Sequence, residues 1–113
     1  MTPATGVRER GTIHSQLGII YRHGGDLDRA LRHYQQDIRN CERAGDIFGA
    51  GQTLRNVAVT LATADRLSDA RAYAEAALAN FPTFGDHAAD AIQKTESLIA
   101  DIDEAVAKKA GGA

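Results

Sequence analysis

Apolar residues recur along this chain at helical spacing, in five successive segments. In the first segment they return every three or four positions, so they share one face of a helix. They are Ile13, Leu17, Ile20 and Tyr21. The segment ends at Gly24-Gly25, and glycine just after an apolar periodic stretch is typical of a helix C-terminus. The pattern therefore predicts a first helix that stops at this glycine pair.

Three further helices are predicted from the same spacing and from the residues at their ends. Asp26 and Asp46 each offer a carboxylate as N-cap, to the second and third helix. Gly45 ends the second helix and the third ends near Asp65-Arg66, whereas Pro82 closes the fourth because proline cannot continue a helix. The three apolar stripes are Leu27, Ala30, Leu31, Tyr34, Ile38 and Cys41; Ile47, Ala50, Leu54, Val57, Ala58 and Leu61; and Leu67, Ala70, Ala74, Ala77, Leu78 and Phe81.

The fifth segment carries a narrow apolar seam on an otherwise charged helix. We expect Asp86 to be its N-cap, and Lys108-Lys109 suit the dipole at its C-terminal end. The seam consists of Ile92, Thr95, Ile99, Ile102 and Val106. A helix with one apolar stripe suits the end of a helical stack, where it covers the last layer and faces water elsewhere.

The first four helices form two copies of one unit. A shift of 40 residues aligns Leu17 with Val57, Gly18 with Ala58, Tyr21 with Leu61, Leu27 with Leu67, Ala30 with Ala70, and Ile38 with Leu78. Apolar residues meet apolar residues and small residues meet small ones. Because short connections make consecutive helices antiparallel, each copy is predicted to be a helical hairpin whose small residues allow close packing.

The local signatures of these copies resemble a known repeat family. Leu17-Gly18-x-x-Tyr21 followed by Ala30-x-x-x-Tyr34 is similar to the tetratricopeptide repeat (TPR) pattern, and Ala70 followed by Pro82 resembles its closing part. The segment from Gly24 to Leu31 looks like the turn between the two helices of the family's repeat. The resemblance covers residues 11–82. It implies an all-α fold, an α-solenoid of two helix-turn-helix hairpins plus a C-terminal capping helix.

This resemblance also divides the chain into parts. They are a flexible leader (1–10), a first repeat (11–45), a second repeat (46–83) and the capping helix (84–110). Glu42-x-x-Gly45-Asp46-x-x-Gly49, which bridges the repeats, looks like the longer variety found in kinesin light chains, cell-polarity adaptors and bacterial signalling proteins. The Arg-rich and Ala-rich style resembles an actinobacterial protein. His14 and Asp37 depart from the family pattern, which usually has Trp and a small residue at these places.

Composition narrows the class of protein. The 113 residues include 21 alanines, the best helix former, and only two prolines. The net charge of −2 disfavours nucleic acid as a partner, because nucleic-acid binders are usually strongly basic. No uninterrupted apolar segment is as long as a membrane-spanning helix. With Cys41 as its single cysteine, the chain has no internal disulfide. A cytoplasmic location with no membrane contact is predicted.

The resemblance implies a concave groove lined by the first helix of each repeat. Ile19 and Val59 lie off the core stripes at equivalent positions, so two β-branched residues are expected side by side there. Asn56 matches the family's groove asparagine, and Arg55 beside it suits a ligand carboxylate. The predicted peptide-groove residues are Gln16, Ile19, Arg22, His23, Gln52, Arg55, Asn56 and Val59. The competing interpretation is an ordinary solvated helix surface with isolated apolar residues.

Other candidate chemistry is weaker. Helix-capping is the favoured interpretation of Asp86-His87-x-x-Asp90, over a metal site. Cys41 follows an apolar stripe and is expected to be a small buried thiol. A basic face on the second helix is more readily a solvated surface than a phosphate site; it comprises Arg29, Arg32, Gln36, Arg39 and Arg43. No catalytic or phosphate-binding motif is present, so no enzyme activity, cofactor or metal is predicted.

Two functions fit these features. The first is a non-catalytic protein-interaction module that binds a peptide or a partner helix in the concave groove of the solenoid. The alternative is a C-terminal regulatory or oligomerisation segment of a larger multidomain signalling protein. In that case the chain self-associates through the uncovered N-terminal end of its first helix, since a solenoid of two repeats is near the minimum size.

Overall fold

A computed structural model of the chain describes residues 25–81 and 85–112, and these form four helices. They are α1 (Leu27–Arg43), α2 (Ile47–Thr63), α3 (Leu67–Asn80) and α4 (Asp86–Gly112). They correspond to the second to fifth predicted helices, and the predicted leader and first helix lie outside the described residues. No strand occurs in the described ranges. The all-α fold class is confirmed.

The N-caps of α1 and α2 follow the sequence prediction. The Asp26 carboxylate accepts a hydrogen bond from the Arg29 amide at 3.1 Å, and Asp46 accepts one from the Gly49 amide at 2.9 Å. Each aspartate thereby satisfies a backbone donor that has no partner within its helix. These local bonds explain why α1 and α2 begin where the spacing predicts.

The α1–α2 turn and the α2–α3 turn have different residue types at their left-handed position. Gly45 has φ +72° between α1 and α2, a left-handed conformation that glycine adopts without steric cost. Asp65 takes the equivalent conformation between α2 and α3, at φ +65°. Aspartate is among the few other residues that tolerate this region. The second turn therefore forms without a glycine, and α2 ends at Thr63.

The predicted N-cap of α4 is wrong by one residue. Asp86 is already helical, and the Ala89 amide donates to the Gly85 carbonyl at 3.0 Å. The N-cap is therefore Gly85, whose φ of +97° lies outside the helical range. The other end of α4 reaches Gly112, two residues beyond the predicted limit of 110.

The core lies around α2, which packs against α1, α3 and α4. Its main cluster consists of Ala30, Tyr34, Val57, Ala58, Leu61, Ala70, Ala74 and Ile102. Half of these residues are alanines with no exposed surface. Because alanine adds only a methyl group, the helix backbones approach closely at these positions.

The apolar seam of α4 follows its predicted register at four of its five positions. Thr95 and Ile102 are buried, and Ile92 and Ile99 pack against the core clusters. Val106 is 45% exposed, whereas Ala88 and Ala91 extend the buried seam toward the N-terminus. The two helices α3 and α4 run antiparallel, since Arg71 pairs with Asp103 and Lys109 with Asp65.

Candidate functional site

One strip of α2 stays outside the core. It consists of Gln52, Arg55, Asn56 and Val59, and we call it the α2 strip. Gln52 is exposed and the other three are half-buried. Spacings of three and four residues place them on one helical face. The core residues Val57, Ala58 and Leu61 occupy other faces of the same helix.

The α2 strip is narrow because neighbouring helices cover the rest of α2. At its N-terminal end α2 approaches α3 so closely that a Cβ atom at Gly51 would lie 2.8 Å from Cε1 of Phe81. The Phe81 ring also packs on Phe48 with ring centroids 5.3 Å apart. This contact orients the N-terminal half of α2 and so positions Gln52, which follows Gly51.

Two threonine hydroxyls of α2 are bonded within the helix. Thr60 Oγ1 donates to the Asn56 carbonyl and Thr63 Oγ1 to the Val59 carbonyl, each at 2.8 Å. Such i to i−4 bonds satisfy the hydroxyls without drawing on the side chains of the α2 strip.

The polar side chains of the α2 strip differ from the charged side chains of α3 and α4 in their ion pairing. Across the described parts of the chain, the Arg55 guanidinium and the Asn56 amide make no hydrogen bond or ion pair. In contrast, α3 and α4 neutralise their cations internally. The pairs are Arg66–Asp69, Arg71–Asp103, Arg71–Glu75, Lys94–Asp90, Lys108–Glu104 and Lys109–Asp65.

A buried polar cluster lies where α1 meets α2. Asp37 is 2% exposed and accepts a hydrogen bond from Thr53 Oγ1, which also lies within reach of the Gly49 carbonyl at 3.2 Å. Nearby on α1, Gln36 donates to Oδ1 of the buried Asn40 at 3.2 Å. The departure of Asp37 from the family's small residue thus has a structural partner.

Sequence reasoning missed Thr53, because it belongs neither to the apolar stripe of α2 nor to the predicted groove. The only signal was an acid at a position where the repeat pattern has a small residue. A buried carboxylate requires a hydrogen-bond donor nearby. That requirement directs attention to the polar residues of the facing helix, among which is Thr53.

Four of the predicted groove residues, Gln16, Ile19, Arg22 and His23, lie outside the described residues. The expected contact between Ile19 and Val59 therefore stays a prediction.

The structure also places the other candidate residues, namely the cysteine and the possible metal ligands of α4. Cys41 is buried, as expected. No group of three potential metal ligands occurs in the described ranges, and Asp90 pairs with Lys94 at 3.0 Å. In the same part of the chain, none of the helices combines the length and the apolar character needed to cross a bilayer.

The basic residues of α1 are exposed, as predicted. Arg29 is 3.3 Å from Asp26, while Arg32, Arg39 and Arg43 have no ion pair within the described residues. These three arginines share the face of α1 that is opposite the core, because they are spaced by seven and four residues. Together with Arg55 they are the cations of the described segments that lack a counter-ion.

Comparison with known proteins identifies the repeat. A family model for the tetratricopeptide repeat matches residues 9–83. No curated protein and no solved structure gives a significant match. Since the matched span is more than half of the 113 residues, the chain belongs to the tetratricopeptide-repeat family. Repeats of this family generally form protein–protein interaction modules and are typically non-catalytic scaffolds.

Proposed function

We propose that this member of the tetratricopeptide-repeat family is a non-catalytic interaction module that holds a peptide or a partner's helix against the α2 strip. Gln52, Arg55, Asn56 and Val59 supply the second-repeat half of the binding groove. Gln16, Ile19, Arg22 and His23 supply the first-repeat half. The binding of protein or peptide partners, and not of nucleic acid, is part of the proposal.

The observation that carries this proposal is that the Arg55 and Asn56 side chains make no hydrogen bond or ion pair with the residues that the structure describes. An asparagine amide has both donor and acceptor atoms, so it can bind both the N–H and the C=O of an extended backbone. A guanidinium binds a carboxylate through two parallel hydrogen bonds. Val59, one turn further along, offers apolar contact. These three side chains suit an extended peptide that carries an acidic group.

We also propose that residues 84–110 form the cap of the solenoid. The outward side of α4 supports this role because it has no apolar stripe for a further helix to cover. Its exposed residues are Ala89, Gln93, Glu96, Ser97, Ala100 and Asp101. The polar outer face that ends a repeat stack has this character.

The double variant Arg55→Glu/Val59→Asp tests the groove. Partner capture by the purified chain from a lysate of its host is expected to be lost, because the carboxylates repel an acidic ligand and remove the apolar contact. Circular dichroism should be unchanged, since neither side chain belongs to the core clusters. Asn56→Ala is a milder second variant, in which only the amide is removed.

The matched control is Lys94→Glu/Lys108→Glu, which reverses two exposed charges on α4, a different helix. It should capture the same partner as the unmodified chain. Capture that survives Arg55→Glu/Val59→Asp in a folded protein would contradict the proposal.

The alternative function, self-association through the N-terminal end, depends on residues outside the described ranges. Light scattering across a concentration series distinguishes it from the groove function. The proposed module stays monomeric at all concentrations, whereas the alternative requires a mass that increases with concentration.

A further inference from the structure

A crevice separates α1 from α3 on the side of the molecule formed by these two helices. It has a volume of about 250 Å³, and its base is formed by Val57 and Leu61 of α2, each only 2% exposed. Leu31 and Ile38 line it from α1, and Tyr73 lines it from α3. The crevice thus gives direct access to the apolar core between two helices that stand apart.

The size of the crevice decides what class of occupant fits. Sites for small-molecule ligands and cofactors usually measure about 300–1,000 Å³. At about 250 Å³ the crevice is below that range and suits one bulky apolar side chain supplied by a larger partner. An apolar anchor on a partner helix is a common form of such recognition.

The two sides of the crevice, formed by α1 and α3, differ in charge. Gln35 lines it on the α1 side, and Arg32 and Arg39 lie three residues before and four residues after Gln35, so all three share a face. Both arginines are exposed and have no ion pair in the described ranges. On the α3 side, Asp69 is held by Arg66 at 2.8 Å and does not neutralise them.

The other acids near these arginines also leave them uncompensated. Asp28 and Glu42 lie on α1 one turn outside Arg32 and Arg39, and they form no ion pair with either arginine within the described residues. Arg32 and Arg39 therefore lie on the exposed face of α1, next to the Gln35 edge of the crevice, and make no ion pair in the described ranges. With about 1.5 Å of rise per residue, Arg32 and Arg39 are about 10 Å apart along the helix.

We propose that this crevice is a second docking site, distinct from the α2 strip, for an acidic amphipathic helix of a partner protein. The partner inserts one leucine or phenylalanine between α1 and α3, onto Val57 and Leu61. Carboxylates three and four residues to either side of that anchor meet Arg32 and Arg39, because residues at this spacing flank one helical position just as the two arginines flank Gln35. Charge complementarity thus selects the partner, and the apolar anchor places it.

A designed peptide of about sixteen residues provides the probe, long enough to form a helix when bound. It carries one central phenylalanine with glutamates three and four residues to either side, in an alanine-rich background. Two matched peptides replace the glutamates by lysines or the phenylalanine by alanine. Binding is measured by fluorescence anisotropy at low salt, and its position is mapped by amide chemical-shift changes in the isotope-labelled chain.

The acidic phenylalanine peptide is expected to bind saturably, and each matched peptide at least about tenfold more weakly, a loss of about 1.4 kcal/mol. The largest shift changes should occur at Leu31, Gln35, Ile38 and Tyr73. Arg32→Glu/Arg39→Glu should weaken binding by a similar factor without loss of helix content. Gln35→Trp should also weaken it, because the indole occupies the crevice while the charges stay unchanged.

Arg55→Glu/Val59→Asp is the matched control and should leave peptide binding unchanged, which separates this site from the proposed groove. Shift changes centred on Gln52, Asn56 and Val59 would assign the peptide to the groove and overturn the second site. Absence of saturable binding, or binding that is insensitive to both crevice variants, would overturn it as well. Concentration-dependent dimers that Gln35→Trp abolishes would give the crevice to a second copy of the chain instead.

Discussion

The contact between α1 and α2 and the contact between α2 and α3 use different chemistry. The first contains buried polar groups, with Asp37 and Thr53 hydrogen-bonded and the Tyr34 hydroxyl buried without a partner among the described residues. The second contains alanines and the Gly51 backbone packed against Phe81. The surfaces differ as well. Among the residues that the structure describes, Arg32, Arg39, Arg43 and Arg55 make no ion pair, whereas the cations of α3 and α4 do.

The two ends of the molecule therefore differ in role, one contributing mainly to stability and the other to the proposed binding. Small apolar residues and closed ion pairs make the α3–α4 end self-sufficient. A buried polar group without a hydrogen-bond partner lowers the stability of the chain, whereas an exposed arginine is hydrated and can exchange water for a ligand's carboxylate. The α1–α2 end therefore carries both proposed binding surfaces, the α2 strip and the crevice rim.

The largest effect is expected from overpacking the alanine contact. Ala74 has no exposed surface, so Ala74→Leu must separate α3 from its neighbours and should lower the free energy of unfolding by about 3 kcal/mol. Denaturant titration measures it. Ala76→Leu, at an exposed position of the same helix, is the control and should change stability little. Equal effects at the two positions would refute the close packing of α3.

A smaller loss is expected from breaking the polar cluster between α1 and α2. Thr53→Val keeps the shape of the side chain but removes the hydroxyl that donates to the buried Asp37 carboxylate. Hydrogen bonds to charged groups contribute about 1.5–3 kcal/mol, and we expect a loss of about 2 kcal/mol in denaturant titration. Thr63→Val, where the hydroxyl is exposed, is the matched control. An unchanged stability in Thr53→Val would mean that Asp37 does not depend on this donor.

A substitution at Tyr34 is expected to increase the free energy of unfolding, in contrast to the two above. Its hydroxyl is buried with no hydrogen-bond partner in the described structure, so Tyr34→Phe removes a desolvated polar atom and keeps the ring. The free energy of unfolding should increase by about 1 kcal/mol, visible as a higher melting temperature. Tyr73→Phe, at a half-buried ring, should give a smaller change. A destabilised Tyr34→Phe protein would reveal a partner for the hydroxyl.

The smallest effect is expected from the ion pair between α3 and α4. The hydrogen bond from Arg71, at 2.7 Å, lowers the pKa of the Asp103 carboxyl. A lowered pKa in the folded state stabilises the fold at pH values above the unfolded pKa of about 3.9, and this contribution is lost as the pH falls through the folded pKa. Solvent keeps the contribution small, because both side chains are largely exposed.

Asp103→Asn should therefore melt slightly lower than the unmodified chain at neutral pH, and the difference should vanish in acid. Asp101→Asn is the control, because Asp101 is exposed and has no ion pair in the described part of α4. A difference between Asp103→Asn and the unmodified chain that persisted at low pH would exclude the ion pair as its cause.

Local signals predicted most of the helix ends. Asp26 and Asp46 cap α1 and α2 as expected, because an N-cap bond joins residues only three positions apart. The start of α4 was misplaced since Gly85, and not the better-known capping residue Asp86, precedes the first helical residue. Helical spacing does not predict the exposure of Val106, because exposure depends on how α4 packs against the other helices.

The candidate site also has a part that the sequence predicts and a part that it does not. Helical spacing placed the residues of the α2 strip off the apolar stripe, and the family resemblance assigned them to a groove. Neither signal shows that Arg55 makes no ion pair within the described residues while Arg71 makes two. Whether a charge is paired depends on residues that are distant along the chain, as Asp103 is from Arg71.

The amino-acid sequence by itself determined the four described helices and the antiparallel hairpin of α2 and α3, because helical spacing, caps and turns act over a few residues. Only the tertiary structure decided which polar groups are buried, which charges are neutralised and where α1 and α3 leave a crevice. Those properties arise from the distance between helix surfaces. That distance is set by the combined volumes of side chains from three or four helices, among them Ala70, Ala74 and Leu61.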